Sequence, residues 1–575
     1  MWKSLSYLDQ PIPVERRRTG AGWATPLDIT AAYGDDPIVA VRLGHPLADR
    51  GFEFLMRDLL QAALAPEDIR SWAMLLRQPP APVDLASCLA PYAEALDIVH
   101  PRHPALQVRP NPARRAAAER KPPGRGKPRV EADEDDDEPS GAMPIAGLLP
   151  DLPTGEAVKQ NTDFFMKRGS VAAIGAGAIL PVLYGHQVLF PPAGGGYFGM
   201  PHGADSIKFQ LVGRTLWETL WLNVLPQDYD VLAQDGATWP APATAAVLPW
   251  LDESLAEMPL GRNEAGAARP LERPALHPAH IPMPRRYLLA PPVEGRCGLT
   301  GREGPVFTAY ERWPKGLQYQ PRGWWHLAVS RIESEAPDPE EAPLFLRARG
   351  PLRFDDWLQT ALLDDKAPAG PKGKVRRLPP VLRPLAVAMG KGLLNGLAEP
   401  GEGATAVARR LPFRVRATAQ YLFGKAVGGM SQRELPVWLL ERPEVQAGLI
   451  GAVSKLVGQI GEIAVALKLA AAEAAKLGNP EAKVGQPDDL YDALLAGIDH
   501  VVLALPGQLA GAAPDGPTDA ADEIVQMALE TARDAALALF DGTFPITGRD
   551  QRVEKLLVGA RGRLVRRIAY VLKKS

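Results

Sequence analysis

The stretch "PPAGGGYFGMPHGADSIKFQLVGRTLWETLWLNVL", Pro191 to Leu225, decides how the rest of the chain is read. It opens on three consecutive glycines, Gly194, Gly195 and Gly196, between a proline pair and an aromatic pair. Glycine triplets suit a backbone that must come very close to something, because no β carbon stands in the way. A nucleotide phosphate, a neighbouring strand and the edge of a nucleic-acid groove all satisfy that description. The stretch closes on "GRTLWETLWLNVL", where Trp217 and Trp221 stand four apart. On a helix that spacing puts both rings on one face, which predicts a core position for the pair.

Outward from this stretch, composition sets the class. The chain has 575 residues, room for two to four domains. Its apolar fraction of 46% is that of a folded protein with real cores, and its net charge of −2 points to no particular partner. The two cysteines, Cys88 and Cys297, exclude a disulfide framework and a cysteine-rich zinc site, and they fit a reducing compartment. No signal-peptide pattern opens the chain. The apolar run Val171 to Gly185 is too short to span a bilayer and holds a proline, so it is read as a buried helix. The expected location is the cytoplasm, with no membrane partner.

The chain divides by pattern. Residues 1 to about 105 read as mixed α and β, with a strand in "DPIVAVRL" and a helix in "GFEFLMRDLLQAALA". Residues 106–142 read as a disordered charged insertion, basic in its first half and acidic in its second. From Met143 to Ala398, dense prolines, glycines and tryptophans predict irregular α/β structure with long loops. "EPGEG" (399–403) then reads as a linker.

Beyond it, Leu449, Val453, Leu456, Ile460, Ile463 and Leu467 alternate spacings of four and three, the seam of a bundle helix. Further helices are predicted at 404–425, 488–505, 518–541 and 550–574. The fold class is therefore α+β. A large mixed domain (1–398) precedes a C-terminal four-helix bundle (404–575). The last helix sets Val553, Leu556, Leu557, Ala560, Leu564, Ile568 and Val571 on one face. Arg561, Arg563, Arg566 and Arg567 lie off that face, as a solvated surface or a phosphate track.

Catalytic patterns fail on inspection. Gly175-x-Gly177 starts a dinucleotide fingerprint, but Leu180 holds the third glycine position. Gly390-Lys391 lacks the P-loop's first glycine and its Ser or Thr. The pairs His100/His103 and His277/His280 include prolines and lack cysteine partners, so they read as structural. No nucleophile elbow, HExxH or kinase set occurs. Neither a catalytic site nor a cofactor is expected.

Several features, in order, resemble the large subunit of the type I-E CRISPR surveillance complex, the CasA family of Cascade. "LDQPIPVER" resembles the family's opening segment, with Pro11 where tryptophan is usual. "HPRHPALQV" and "MPIAGLLPDLPTGEAVKQNTDFF" resemble two further elements, the second leading into a flexible DNA-contacting loop. The opening stretch resembles the family's glycine loop, the strand after it and its "LW-T-LWLNVL" helix, the most specific piece. The final helix resembles the family's closing bundle helix.

The resemblance implies a subunit without catalysis. Such a subunit recognises the protospacer-adjacent motif of double-stranded target DNA and promotes duplex opening and guide-RNA pairing. It also recruits a helicase-nuclease effector. Its partners would be the guide-RNA complex with the backbone, small and guide-5′-end Cascade subunits. A structural scaffold without DNA reading is the alternative. Protein would read the flanking motif while base pairing reads sequence.

Carried over by residue, Gly194, Gly195 and Gly196 would approach the minor groove, and Lys315 in "AYERWPKGLQY" would enter it, with Arg312 as fallback. In the flexible loop Phe164 would contact DNA, with Lys167 and Arg168 holding phosphates. The family's glutamine wedge aligns with "MGKGLLNGLAE", giving Asn395 and then Gly396. Glycine cannot wedge, so Leu394 or Leu397 would intercalate instead. A zinc knuckle is not expected, since "GSVAAIGAG" lacks the cysteines that many members carry.

Overall fold

The computed structural model describes residues 2–119, 142–150, 152, 169–190, 196–232, 234, 236–261, 264, 269–271, 276–320, 326–334, 342–348, 350–363, 374–397, 399–400, 408–423, 426–440, 443–476, 486–512, 519–546 and 550–573. They contain helices α1 (Pro46–Leu64), α2 (Ile69–Arg77), α3 (Pro82–Leu89), α4 (Pro112–Glu119), α5 (Ala176–Leu189) and α6 (Leu216–Trp221). Then follow α7 (Phe354–Ala361), α8 (Arg383–Gly390), α9 (Pro443–Lys476), α10 (Gln486–Ala512), α11 (Asp519–Thr543) and α12 (Gln551–Leu572). Strands are short and form several small sheets, so the class is α+β.

The chain forms two compact units. One is Met1–Pro351, Gly370–Leu393 and Thr418–Gln432; the other is Leu352–Ala369, Leu394–Ala417 and Arg433–Ser575. The division is not the single cut near residue 400 that the linker signal suggests, because the segment bearing α7 groups with the bundle.

In the first unit, Ile12–Arg16 lies between Gly20–Ala24 and Ile38–Val41 in an antiparallel sheet. Helix α1 packs along α5 at the centre. The predicted apolar face of α1 is inside, and so is much of its polar face: Arg50, Glu53, Arg57, Asp58 and Gln61 are all buried. Arg57 pairs with Asp58 at 2.8 Å and meets His326 Nε2 at 2.9 Å, while Gln61 Nε2 donates to Leu225 O. These partners offset part of the penalty that burial imposes on such groups.

The motif around α6 is explained residue by residue. Thr215 caps α6 by accepting from Glu218 N at 3.1 Å, and a β carbon on Gly213 would lie 2.2 Å from that of Glu218. Trp217 and Trp221 are fully buried and stack at 5.2 Å, as their spacing predicts. Their indole N–H groups donate to Leu75 O and Trp72 O.

Two expectations are corrected here. The charged insertion is folded over residues 106–119: Leu106 and Val108 are buried, and Val108 N donates to Tyr287 O at 2.8 Å. In α4, Arg114 pairs with Glu257 and Arg115 with Glu311, acids far away in sequence that composition alone cannot match to them. Residues 120–141 of that insertion lie outside the described residues. The helix expected at 404–425 is instead the strand Ala408–Phe423, beside Ala426–Leu440. Its apolar residues alternate at a period of two: Leu411, Phe413, Val415, Ala417 and Ala419 are all fully buried. That is a strand pattern inside an alanine- and arginine-rich stretch.

In the second unit, α9 to α12 form the bundle, with α9 against α10, α11 and α12. The six seam residues of α9 are buried. On α12, Leu557, Ala560, Leu564, Ile568 and Val571 are buried, whereas Leu556 is exposed. Asp499 of α10 accepts from Phe354 N at 2.9 Å, tying the start of α7 to the bundle. Among the described residues, the helices over Ala447–Lys476 and Asp489–Leu509 are long and apolar enough to cross a membrane by length and composition, whereas the run Val171–Gly185 lies largely in the shorter, buried α5. In α9 the buried seam carries much of this apolar character, while Val465 and Leu469 are exposed.

Candidate nucleic-acid interface

The interface is built on the strand Arg286–Leu289 paired antiparallel with Ala309–Trp313, in a register that sets Tyr287 opposite Arg312 and Arg286 opposite Trp313. The turn Pro314–Lys315–Gly316 follows directly. Lys315 adopts φ +57°, which costs a residue with a side chain about 1 kcal/mol. Two contacts hold it there. Lys315 N donates to Gly196 O at 2.8 Å, and Gly316 sits so close to Pro284 that a β carbon would lie 2.3 Å from its carbonyl oxygen. The end of the glycine triplet and the predicted groove lysine are thus adjacent, although 119 positions apart in sequence (315 − 196).

Gly196 is exposed with φ +79°, a left-handed conformation suited to glycine. Next to it, the Arg312 guanidinium lies over the Tyr197 ring at 4.9 Å, so the fallback cation is also on this surface. Lys315 is half-buried and its ammonium donates to Glu264 O. At the other end of the loop, the Phe190 ring stacks on His186 at 3.8 Å. His186 hydrogen-bonds Tyr287 Oη at 2.7 Å; burial, then the nearby Arg285 and Arg312, push its pKa well below 6.5, so it is neutral.

Sequence reasoning missed the pair that joins these parts. Arg285 Nη2 donates to Phe190 O, and Arg286 Nη2 donates to Pro314 O. Burial brings the Arg286 pKa down to about 10, still cationic at neutral pH. The signal was present in "PMPRRYLL": two adjacent cations inside an apolar run need buried partners.

Beyond the loop, Lys208 is fully buried and its ammonium donates to the carbonyls of Gly203 (3.3 Å), Ala204 (3.1 Å) and Ser206 (3.0 Å). Burial lowers its pKa to about 7. Between pH 7 and the ordinary lysine value, the unfolded chain therefore holds more protons than the folded one, and stability rises with pH. Wild type should gain up to about 1.4 kcal/mol per pH unit from pH 7.5 to 9 relative to Lys208→Met. Denaturant titrations at both pH values check this; equal pH slopes for the two proteins would contradict it.

The other predicted residues stand apart. Gly194, Gly195, Phe164, Lys167 and Arg168 lie outside the described residues. Asn395 and Gly396 are exposed on the short 3-10 helix Asn395–Leu397 of the second unit, where a β carbon on Gly396 would meet open space. Leu394, one of the two leucines expected to wedge, is corrected: it is fully buried, so it fills core rather than presenting an edge. Leu397 is half-buried.

On α12, Arg561 makes a bidentate pair with Asp541 (2.6 and 2.8 Å) and Arg563 pairs with Glu473 at 2.7 Å. Arg566 is exposed and Arg567 half-buried; together with Arg563, Glu462, Tyr491 and Tyr570 they line an open groove of about 770 Å³. Among the described residues no group of three or more His, Cys, Asp or Glu could hold a metal ion.

Comparison with known proteins gives one answer. The family model of the CRISPR-associated protein Cse1 matches residues 8–539. No curated protein matches in sequence. Among solved structures, Thermus thermophilus CasA (Cse1) is similar at 17% identity and a TM-score of 0.61, covering 99% of this chain and 100% of that one. Thermobifida fusca Cse1 is similar at 19% identity and 0.61, covering 99% and 98%. A chain of a CRISPR RNA-guided surveillance complex is similar at 15% identity and 0.58, covering 98% and 99%.

Proposed function

Because this chain belongs to the family of the CRISPR-associated protein Cse1, we propose that it is the non-catalytic large subunit of a type I-E surveillance complex. It reads the protospacer-adjacent motif of double-stranded target DNA, promotes duplex opening and guide-RNA pairing, and recruits the helicase-nuclease. It acts in the cytoplasm, assembled with the backbone, small and guide-5′-end subunits on the guide RNA.

One observation carries the motif-reading step: the 2.8 Å bond from Lys315 N to Gly196 O, which sets a glycine backbone and a lysine side by side. The minor groove is narrow and presents mainly acceptor edges. A backbone without β carbons can approach its floor, and a lysine beside it supplies the complementary donor. In this reading Gly194 and Gly195 continue the approach surface. The Lys315 ammonium exchanges one neutral carbonyl, that of Glu264, for the groove's acceptors and negative potential. Arg312 over Tyr197 adds a second cation. Phe164, Lys167 and Arg168 serve the opened strand, and Asn395–Gly396 the position below the motif.

Gel shifts with the assembled guide-RNA complex test this. Lys315→Ala is expected to lower affinity for motif-bearing duplex by about ten-fold while leaving motif-less duplex nearly unchanged. Equal loss on both duplexes would mean that Lys315 is a general phosphate contact.

The scaffold reading retains support at the bundle, where Arg561 and Arg563 are spent on Asp541 and Glu473. Arg566 and Arg567 are the remaining candidates for a phosphate track. If they hold phosphates, Arg566→Glu with Arg567→Glu should lower the slope of log affinity against log salt by about two. An unaltered slope assigns this face of the bundle to protein contacts alone.

A further inference from the structure

We infer that Arg285 and Arg286 are positioning residues for motif discrimination: with Pro284 they form a clasp fixing the glycine loop's start relative to the Lys315 turn. The inference rests on Gly196 and Lys315 facing the groove, as proposed above.

The clasp is continuous through the backbone. Arg285 reaches the start of the loop: Nη1 donates to His186 O and to Gln187 O (3.3 Å), and Nη2 to Phe190 O. Gln187 answers with its own side chain, accepting from Arg285 N and donating to Arg285 O, both at 3.0 Å. Arg286 reaches the other side. Its Nη1 donates to Leu255 O and Met258 O, both at 3.3 Å, and its Nη2 to Pro259 O and Pro314 O. Pro284 closes against Gly316. Phe190, Pro314 and Gly316 are therefore all referred to three consecutive residues, and Gly196 follows through Lys315 N.

The chemistry is unusual for a merely structural position. Both guanidinium groups are almost completely buried, at 3% and 1% exposure. Among the described residues, the hydrogen-bond partners of Arg286 are all backbone carbonyls. Burying a cation this way carries a desolvation cost that apolar residues of similar volume avoid. What the fork supplies in exchange is geometry, since one planar group aims several donors at fixed carbonyls and a lysine cannot. A groove reader needs that, because contacts that discriminate bases lose their value when displaced.

The test uses the full chain in the assembled guide-RNA complex. The readout is the ratio of affinities for motif-bearing and motif-less duplexes, with the salt dependence of the motif-less arm. Arg286→Lys keeps the charge and loses the fork. It is expected to reduce the ratio by about ten-fold, leaving motif-less affinity and its salt slope unchanged. Lys315→Ala is run beside it.

If Lys315→Ala removes the ratio and Arg286→Lys preserves it, the positioning role is overturned while the motif-reading surface stands. If Lys315→Ala leaves the ratio intact, the reading beneath the inference fails and the inference with it. If both arms of Arg286→Lys weaken in step with thermal stability, the arginine is only structural. Should Arg286→Lys not fold, Arg285→Lys leaves the Pro314 bonds in place and applies the same criteria from the loop's start.

Discussion

Gly51→Val is expected to destabilise the first unit by about 3 kcal/mol or more. Helices α1 and α5 meet at this glycine. A β carbon on Gly51 would sit 1.9 Å from Pro181 O, 2.8 Å from Pro181 C and 2.9 Å from Gly185 N. All three are backbone atoms, so no side chain can rotate aside. Gly185 repeats the contact from the opposite helix, since its β carbon would lie 2.8 Å from Leu47 O. Relief requires α1 and α5 to separate, which opens the packing around Phe52, Leu55 and Leu59. Even Gly51→Ala meets the same atoms, although alanine is the better helix former by nearly 1 kcal/mol. Thermal or denaturant unfolding should show both variants below wild type, valine lowest. A midpoint unchanged in Gly51→Ala would mean that the two helices are not in this close contact.

Asn223→Ala is the second large effect, expected at about 2–5 kcal/mol. Asn223, third from the end of the motif "LWETLWLNVL", is 2% exposed. Its Oδ1 accepts from Leu211 N at 2.8 Å, and its Nδ2 donates to Leu211 O (2.8 Å) and Thr219 O (2.7 Å). The side-chain amide therefore satisfies Leu211 as a neighbouring strand would, and locks the strand Lys208–Val212 to the end of α6. Alanine leaves these buried groups unpaired, and the penalty is that of desolvated polar atoms rather than of one lost bond. Asn223→Asp keeps the shape but sets a carboxylate against two carbonyls, so it should be at least as damaging at neutral pH. An aspartate variant more stable than the alanine variant would show that shape, not donation, matters at this position.

What the sequence made legible follows the reach of local patterns. The α9 seam and the Trp217–Trp221 pair were readable because a 3.6-residue period and a four-residue spacing are visible within one element. The strand Ala408–Phe423 was misread because alanine and arginine favour helix locally, while its two-residue alternation carried the stronger constraint. The buried charges of α1 were only half legible: Arg50–Glu53 and Arg57–Asp58 pair within the helix, but the further partners Tyr184 for Asp58 and His326 for Arg57 lie far away in sequence. Helix α4 was read as disorder for the same reason, its stabilising acids lying in other segments.

At the interface, the glycine triplet and Lys315 were found separately, through resemblance. Their adjacency through Gly196 O, and the clasp that enforces it, are properties of long-range backbone geometry. No spacing rule within "RWPKG" or "AGGGY" encodes them.

In the proposed function the surface around Gly196, Tyr197 and Lys315 lies against the motif's minor groove. The most direct measurement places a photo-crosslinking benzoyl-phenylalanine at Tyr197 in the assembled guide-RNA complex and maps crosslinks on bound target duplex. Crosslinks are expected at the protospacer-adjacent motif, lost when a minor-groove ligand occupies that site. Crosslinks confined to other parts of the duplex, or to protein subunits alone, would contradict this placement.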